Sequence, residues 1–232
     1  MGLGDELRQE VDAILKTKWE SRDGYVVPST ETIQLGNDAV KLNGTVFYAD
    51  LADSSGLVQG HKSWFAAEVY KCYLACACRI IRSHGGEITA FDGDRVMAVF
   101  IGDTPNTAAA KAGLKLNWVV DKILNPKIKQ SFPDVTYAVR HAVGIDASDL
   151  FIARTGIRGS NDLVWVGKAA NVAAKMCGLR HGGNFVYVTK AVLDKLNDSA
   201  KYSGDNPKKW MWESIEWNGQ TIYRSGWIWS AD

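Results

Sequence analysis

A run of β-forming residues, Thr45, Val46, Phe47 and Tyr48, ends in the carboxylate of Asp50 and turns through Ser54-Ser55-Gly56 toward a long amphipathic helix. That helix is predicted over His61–Ser83, with Trp64, Phe65, Val69, Leu74 and Ile80 as its apolar contacts and His84-Gly85-Gly86 as its stop. Upstream, Leu7, Val11, Ile14 and Leu15 recur near period 3.6 and predict a helix over residues 4–20, followed by an irregular connector from Ser21 to Lys41. Downstream, Glu87–Phe91 and Arg95–Phe100 flank an Asp92-Gly93-Asp94 turn and predict a hairpin. An alanine-rich helix follows over Thr107–Leu124. Tyr137–Ile145 and Leu150–Arg154 read as two strands joined through Asp146–Asp149, then Asp162–Val166 as a short strand and Lys168–Leu179 as a helix. Phe185–Val188 reads as a strand, Ala191–Leu196 as a short helix, and two C-terminal strands flank Asn218-Gly219, a type I′ hairpin signal. The order is βαββαβ with additions: an α/β (α+β) chain whose antiparallel or mixed sheet is covered by helices on one face. Residues 1–42 are expected to form an N-terminal helix and connector, and residues 43–232 one domain ending in a β-hairpin.

Composition narrows the possibilities. At 232 residues the chain can bury one sizeable core. A formal net charge of +1 gives no electrostatic reason to expect nucleic acid or an anionic membrane as partner. No apolar run reaches the roughly 20 residues needed to span a bilayer, and the Met-Gly-Leu-Gly-Asp-Glu start lacks a signal peptide's apolar core, so a cytoplasmic protein is expected. Cys72, Cys76 and Cys78 share one helix without a second Cys/His pair at zinc spacing, and read as reduced contact residues. Trp210, Trp212, Trp217, Trp227 and Trp229 crowd the C-terminal end as strand, packing or subunit-interface residues.

Three segments carry chemistry. Asp50 stands at a strand end before free helix-start N–H groups, an arrangement suited to metal-bound phosphates, although Asp and Ser also cap helices for structural reasons. The hairpin puts Asp94 at a sheet end beside the strand of Asp50. Two such carboxylates repel unless a cation intervenes, and a pair of divalent metals about 3.5–4 Å apart is a common device for displacement at phosphorus. Turn chemistry alone also accounts for Asp92-Gly93-Asp94. Finally, Asn171 and Lys175 follow the Gly167 turn one helical turn apart, an amide and a cation that suit a ribose oxygen and a phosphate.

Together these segments resemble the catalytic domain of class III nucleotidyl cyclases over roughly residues 43–190. Asp50-Leu51-Ala-Asp53-Ser54-Ser55-Gly-Leu57 matches the family's first metal motif in frame. Gly93-Asp94-Arg-Val-Met-Ala-Val-Phe100 matches its hairpin, at a spacing of 94 − 50 = 44 residues, and Gly167-Lys-Ala-Ala-Asn171-Val-Ala-Ala-Lys175 matches its Asn/Arg helix. The resemblance implies a ferredoxin-like fold. It further implies that Asp50, Asp94 and the Leu51 carbonyl bind two Mn²⁺ or Mg²⁺ ions, and that backbone around Phe47 and from Ala52 to Ser55 cradles a triphosphate. Asn171 would orient the ribose and Lys175 steady the α-phosphate while the 3′-oxygen attacks in line. It also implies a head-to-tail homodimer whose sites take the acids from one subunit and the Asn171 helix from the other.

Departures from the family pattern carry information as well. Lys175 replaces an arginine and loses its planar two-donor fork. Ser148 replaces a glycine, and the terminal-phosphate lysine has no counterpart, with Arg224 as the candidate substitute. Purine cyclases read their base four residues before the second acid and seven before the asparagine; here those positions are Ala90 and Val164, and neither purine code is present. Trp165 could shrink a pocket toward a single ring. A compact domain of this kind with Tyr-Ala-Asp-Leu and Phe-Asp-Gly-Asp-Arg motifs resembles the bacterial Pycsar pyrimidine cyclases. That resemblance implies UTP ahead of CTP as substrate and a cyclic product read by a separately encoded effector in anti-phage defence. A purine cyclase reading its base by other residues, and a non-catalytic nucleotide-binding module, stay open at this point.

Overall fold

The computed structural model describes residues 2–204 and 207–231. In chain order its elements are α1 (Leu3–Lys16), β1 (Glu20–Asp23), a 3₁₀ turn (Thr30–Thr32), β2 (Asp38–Leu51), α2 (Ser54–Gly60), α3 (Ser63–Ser83), β3 (Glu87–Asp92), β4 (Arg95–Phe100) and α4 (Pro105–Val119). A π turn (Val120–Leu124) leads into α5 (Asn125–Ser131), followed by β5 (His141–Ile157), β6 (Ser160–Val166), α6 (Lys168–Cys177), β7 (Phe185–Thr189) and α7 (Lys190–Asp194). The chain ends with α8 (Asp198–Lys201), β8 (Tyr202–Ser203), β9 (Lys209–Trp210), β10 (Glu213–Trp217) and β11 (Gln220–Ser225). Two compact units result: the segment up to Asn43 together with Asp149–Gly167, and Gly44–Ser148 together with the chain from Lys168 onward.

In the first unit β1 runs parallel to the start of β2, Glu20 opposite Asp38, and β6 returns antiparallel on the distal half of β5. Trp19 meets Phe151 edge-on with ring centroids 5.0 Å apart. Helix α1 stops at Lys16 instead of residue 20; Thr17 is extended and its hydroxyl donates to the Ala13 carbonyl. Its apolar stripe, Leu3, Leu7, Val11, Ile14 and Leu15, is exposed within this chain, so the periodicity marks a helix without marking a core face.

The second unit is built on strands in the order β10-β11-β7-β5-β2-β4-β3, antiparallel for β2–β4 and parallel for β5–β7, a mixed sheet. Val143, Ile145, Val186 and Val188 join the main core with Leu114 and Leu116 of α4. Residues of opposite parity, Ala142 and Tyr187, pack instead with Met176 of α6. Helices therefore cover both faces, correcting the one-face expectation. Gly144 is the reason: a Cβ there would lie 2.1 Å from the Ala173 carbonyl oxygen, so only glycine lets the α6 backbone approach.

Other boundaries moved for identifiable causes. The helix expected over Thr107–Leu124 gives way to a π turn and then α5, whose early Pro126 cannot donate to the preceding turn. The two strands expected around Asp146–Asp149 are one 17-residue strand. Asp146 is buried and its Oδ1 accepts from Thr189 Oγ1 while Oδ2 has no hydrogen-bond partner, and Asp149 accepts from Asn43 Nδ2, so acids that resemble a turn find partners sideways. The long helix expected over His61–Ser83 is present as α3 (Ser63–Ser83), and a separate short α2 (Ser54–Gly60) precedes it. The Asn218-Gly219 hairpin forms as expected, both residues at positive φ (48° and 72°). The C-terminal tryptophans divide: Trp212 is buried with its indole N–H on the Ala200 carbonyl, while Trp210 and Trp227 stay exposed. The four cysteines are free thiols.

Candidate active site

Strand β2 sorts its side chains by parity. Phe47, Ala49 and Leu51 enter the core, whereas Tyr48 and Asp50 project from the other face, where α6 ends. The β2–β4 ladder sets Asp50 opposite Arg95, so Asp94 stands one residue beyond it in the hairpin turn. The structure thus brings the two predicted acids together. Asp94 Oδ2 is buried with no hydrogen-bond partner. Asp50 has a carboxyl raised above its ordinary value, first by burial; the Arg180 hydrogen bond opposes this, and the Asp94 charge adds to it. An orphaned carboxylate oxygen beside a destabilised carboxylate is a place where a hard cation would relieve both.

Arg180 was not foreseen. It follows α6, 130 residues from Asp50, and its Nη2 donates to Asp50 Oδ2 at 2.9 Å and to the Leu51 carbonyl at 3.1 Å. Its Nη1 donates to the Cys177 carbonyl at 2.7 Å, at the C-terminal end of the helix, where a cation is favoured. Arg95, the other cation here, lies over the Tyr48 ring at 5.7 Å and pairs with Asp92. Burial pushes the nearby Cys177 thiol up to about 12, which keeps it protonated. No spacing rule connects Arg180 to Asp50; only the course of α6 across the sheet does.

The remaining predicted residues are distributed as follows. The Phe47 side chain is fully buried against Phe100, which leaves only its backbone for any ligand. Ser54 and Ser55 open α2 behind Asp53, which takes a left-handed backbone (φ 60°). Ala90 is half-buried opposite Met97, next to a β-bulge. Asn171 and Lys175 are both exposed on α6. Ser148 replaces its expected glycine with a task, accepting the Ala169 N–H at the start of α6. Arg224 is engaged by Glu213 at 2.9 Å and by the Phe185 ring. In the first unit Val164 is exposed on β6, and its neighbour Trp165 is buried on the opposite side with an unpartnered indole N–H.

The possible cation donors are two carboxylates and one carbonyl, all hard oxygens of the type that suits Mg²⁺ or Mn²⁺ completed by substrate phosphates. Among the described residues no cluster of three or more His, Cys, Asp or Glu offers a cage of another kind. No helix among them is long and apolar enough to cross a membrane.

No family model matches the sequence. Curated relatives do. The chain is 48% identical to a uridylate cyclase of Xanthomonas perforans and 43% identical to one of Burkholderia cepacia, in both cases across 100% of either chain. Its fold is that of the guanylyl cyclase Cya2 (TM-score 0.67, 14% identity, 82% of this chain and 95% of that one). The adenylyl cyclase CyaB from P. aeruginosa matches as well (TM-score 0.67, 18% identity, 81% and 95%). With full-length relatives at this identity and a catalytic-domain fold to match, the chain belongs to the uridylate cyclase family of class III nucleotidyl cyclases.

Proposed function

We propose that this chain converts UTP to 3′,5′-cyclic UMP and pyrophosphate in composite sites of a homodimer. The observation that carries the reading is the buried, unpartnered Asp94 Oδ2 beside Asp50 at the end of the β2–β4 ladder. Asp50, Asp94 and the Leu51 carbonyl would hold two divalent cations, Mn²⁺ or Mg²⁺. When bound, such ions neutralise the phosphates and ease loss of the ribose hydroxyl proton. Backbone from Ala52 to Ser55 meets the triphosphate. The ribose 3′-oxygen then bonds to the α-phosphorus as the bond to pyrophosphate breaks. Asn171 orients the ribose and Lys175 offsets charge on the α-phosphate. Their exposure on α6 supports a role in the partner's site, where they would complete what Asp50 and Asp94 begin.

Uridine as the base is supported by the names of the relatives and by Ala90 and Val164, which offer none of the hydrogen-bonding groups of the purine codes. The product would act as a second messenger for a separately encoded effector in anti-phage defence, in the cytoplasm. To test the activity, purified protein is incubated with each ribonucleoside triphosphate and Mn²⁺, and products are identified by mass spectrometry. Cyclic UMP as the main product supports the reading, and cyclic CMP as the main product changes the base. A purine product alone, or no product from any substrate, overturns it.

A further inference from the structure

The metal reading above leaves Arg180 unexplained, and the inference that follows rests on that reading. We infer that Arg180 is a built-in competitor of the metal site, a tethered cation that a divalent ion must displace from Asp50 and from the Leu51 carbonyl. One nitrogen, Nη2, touches both oxygens, at 2.9 and 3.1 Å. A dication bound by those oxygens and a guanidinium donating to them would occupy the same space and repel each other, so the two states exclude one another. The other nitrogen, Nη1, stays anchored on the Cys177 and Leu179 carbonyls at 2.7 and 3.2 Å. Release therefore needs a swing of the fork and leaves the helix in place.

Room for that swing exists. A cavity of about 290 Å³ borders Arg180, with Ala52, Asp53, Arg140 and Gly183 among its lining residues. The Arg180 side chain is already 40% exposed. Asp50, at 16%, is buried enough that losing every counter-cation is unfavourable, so the site exchanges one cation for another instead of standing bare. In this arrangement Arg180 sets the concentration at which the site loads. It also holds the Asp50 carboxylate and the Leu51 carbonyl pointing the same way.

Competition and a purely structural ion pair predict opposite results for cation affinity. In the competition reading, Arg180→Gln removes the competing charge while keeping hydrogen-bond capacity, and Mn²⁺ binding to the full chain without nucleotide should tighten about tenfold. Arg180→Lys should stay within about threefold of wild type. Free Mn²⁺ is counted by electron paramagnetic resonance, with Asp50→Asn as the control that loses binding and circular dichroism as the check on folding. Unchanged or weaker Mn²⁺ binding by folded Arg180→Gln overturns the inference alone. No Mn²⁺ binding by wild type at millimolar concentration overturns the metal reading and the inference with it. The wild-type protein supplies a second measurement should the glutamine variant fail to fold. In crystals soaked with Mn²⁺, an anomalous peak at Asp50 with Arg180 displaced supports the inference. The same peak with Arg180 still on Asp50 overturns it.

Discussion

His141 offers a quantitative test of how the second unit is packed. The ring opens β5 at 0% exposure, with Nδ1 3.2 Å from the Tyr73 hydroxyl and Nε2 without a partner. Burial pushes its pKa down to about 3, with the Arg180 charge acting in the same direction. In the unfolded chain the imidazole titrates near 6.5. Between those values the unfolded state holds a proton that the folded state refuses, so stability falls as pH falls through that window. From pH 7.5 to pH 5 the loss from this one residue is about 2 kcal/mol, against a total of roughly 5–15 kcal/mol for an ordinary domain. His84, also lowered mainly by burial, acts with the same sign, and Asp50, raised by burial, with the opposite sign. Both cancel when wild type is compared with His141→Gln at equal protein concentration. The assay is urea unfolding followed by tryptophan fluorescence at pH 7.5, 6.5, 5.5 and 5.0. The glutamine variant starts less stable and closes about 2 kcal/mol of the gap by pH 5. Parallel curves for the two proteins would refute the claim that His141 stays neutral in the fold.

Asp94→Ala should lose more than about 99% of turnover, the scale expected when a residue acting on the transition state is removed. Because Asp94 Oδ2 has no partner to abandon, the melting temperature should hold or rise, and a fall of several degrees would contradict that account. A 1:1 mixture of Asp50→Ala and Asn171→Ala chains, each inactive alone, should regain about a quarter of wild-type activity: half the dimers are mixed, and each has one intact site of two. No recovery after verified subunit exchange would argue against shared sites. Gly144→Ala should cost about 3 kcal/mol or more, since the new Cβ meets backbone atoms of α6 that cannot rotate away. A melting point within two degrees of wild type, the shift expected for no more than about 1 kcal/mol in a chain of this size, would mean that α6 yields more readily than the contact implies.

Much of the site was legible in the linear chain because its signals are local. A strand ending in Asp50, an Asp-Gly turn before Arg95 and an Asn-Gly turn before Gln220 are each decided by backbone preferences over a few residues. The pairing of Asp50 with the hairpin of Asp94 follows once those strands are neighbours. Asp146 and Asp149 misled for the same reason: turn-forming residues lie inside β5, where each finds a partner remote in sequence, Thr189 for one oxygen of Asp146 and Asn43 for Asp149. The α1 stripe shows the complementary limit, since periodicity reveals an amphipathic helix without saying what its apolar side faces.

Local propensity and motif spacing were thus enough to place the strand of Asp50, the hairpin of Asp94 and the helix of Asn171 and Lys175, but not the full element order, since α2 and the unbroken β5 were not foreseen. Which face of the sheet receives α6 depends on Gly144, whose missing side chain has no meaning until the helix backbone lies against it. That docking, a tertiary event, carries Arg180 across 130 residues of sequence to the oxygens of Asp50 and Leu51. Charges separated so far along a chain interact only through space, and the distance between them is set by packing, which sequence spacing does not encode.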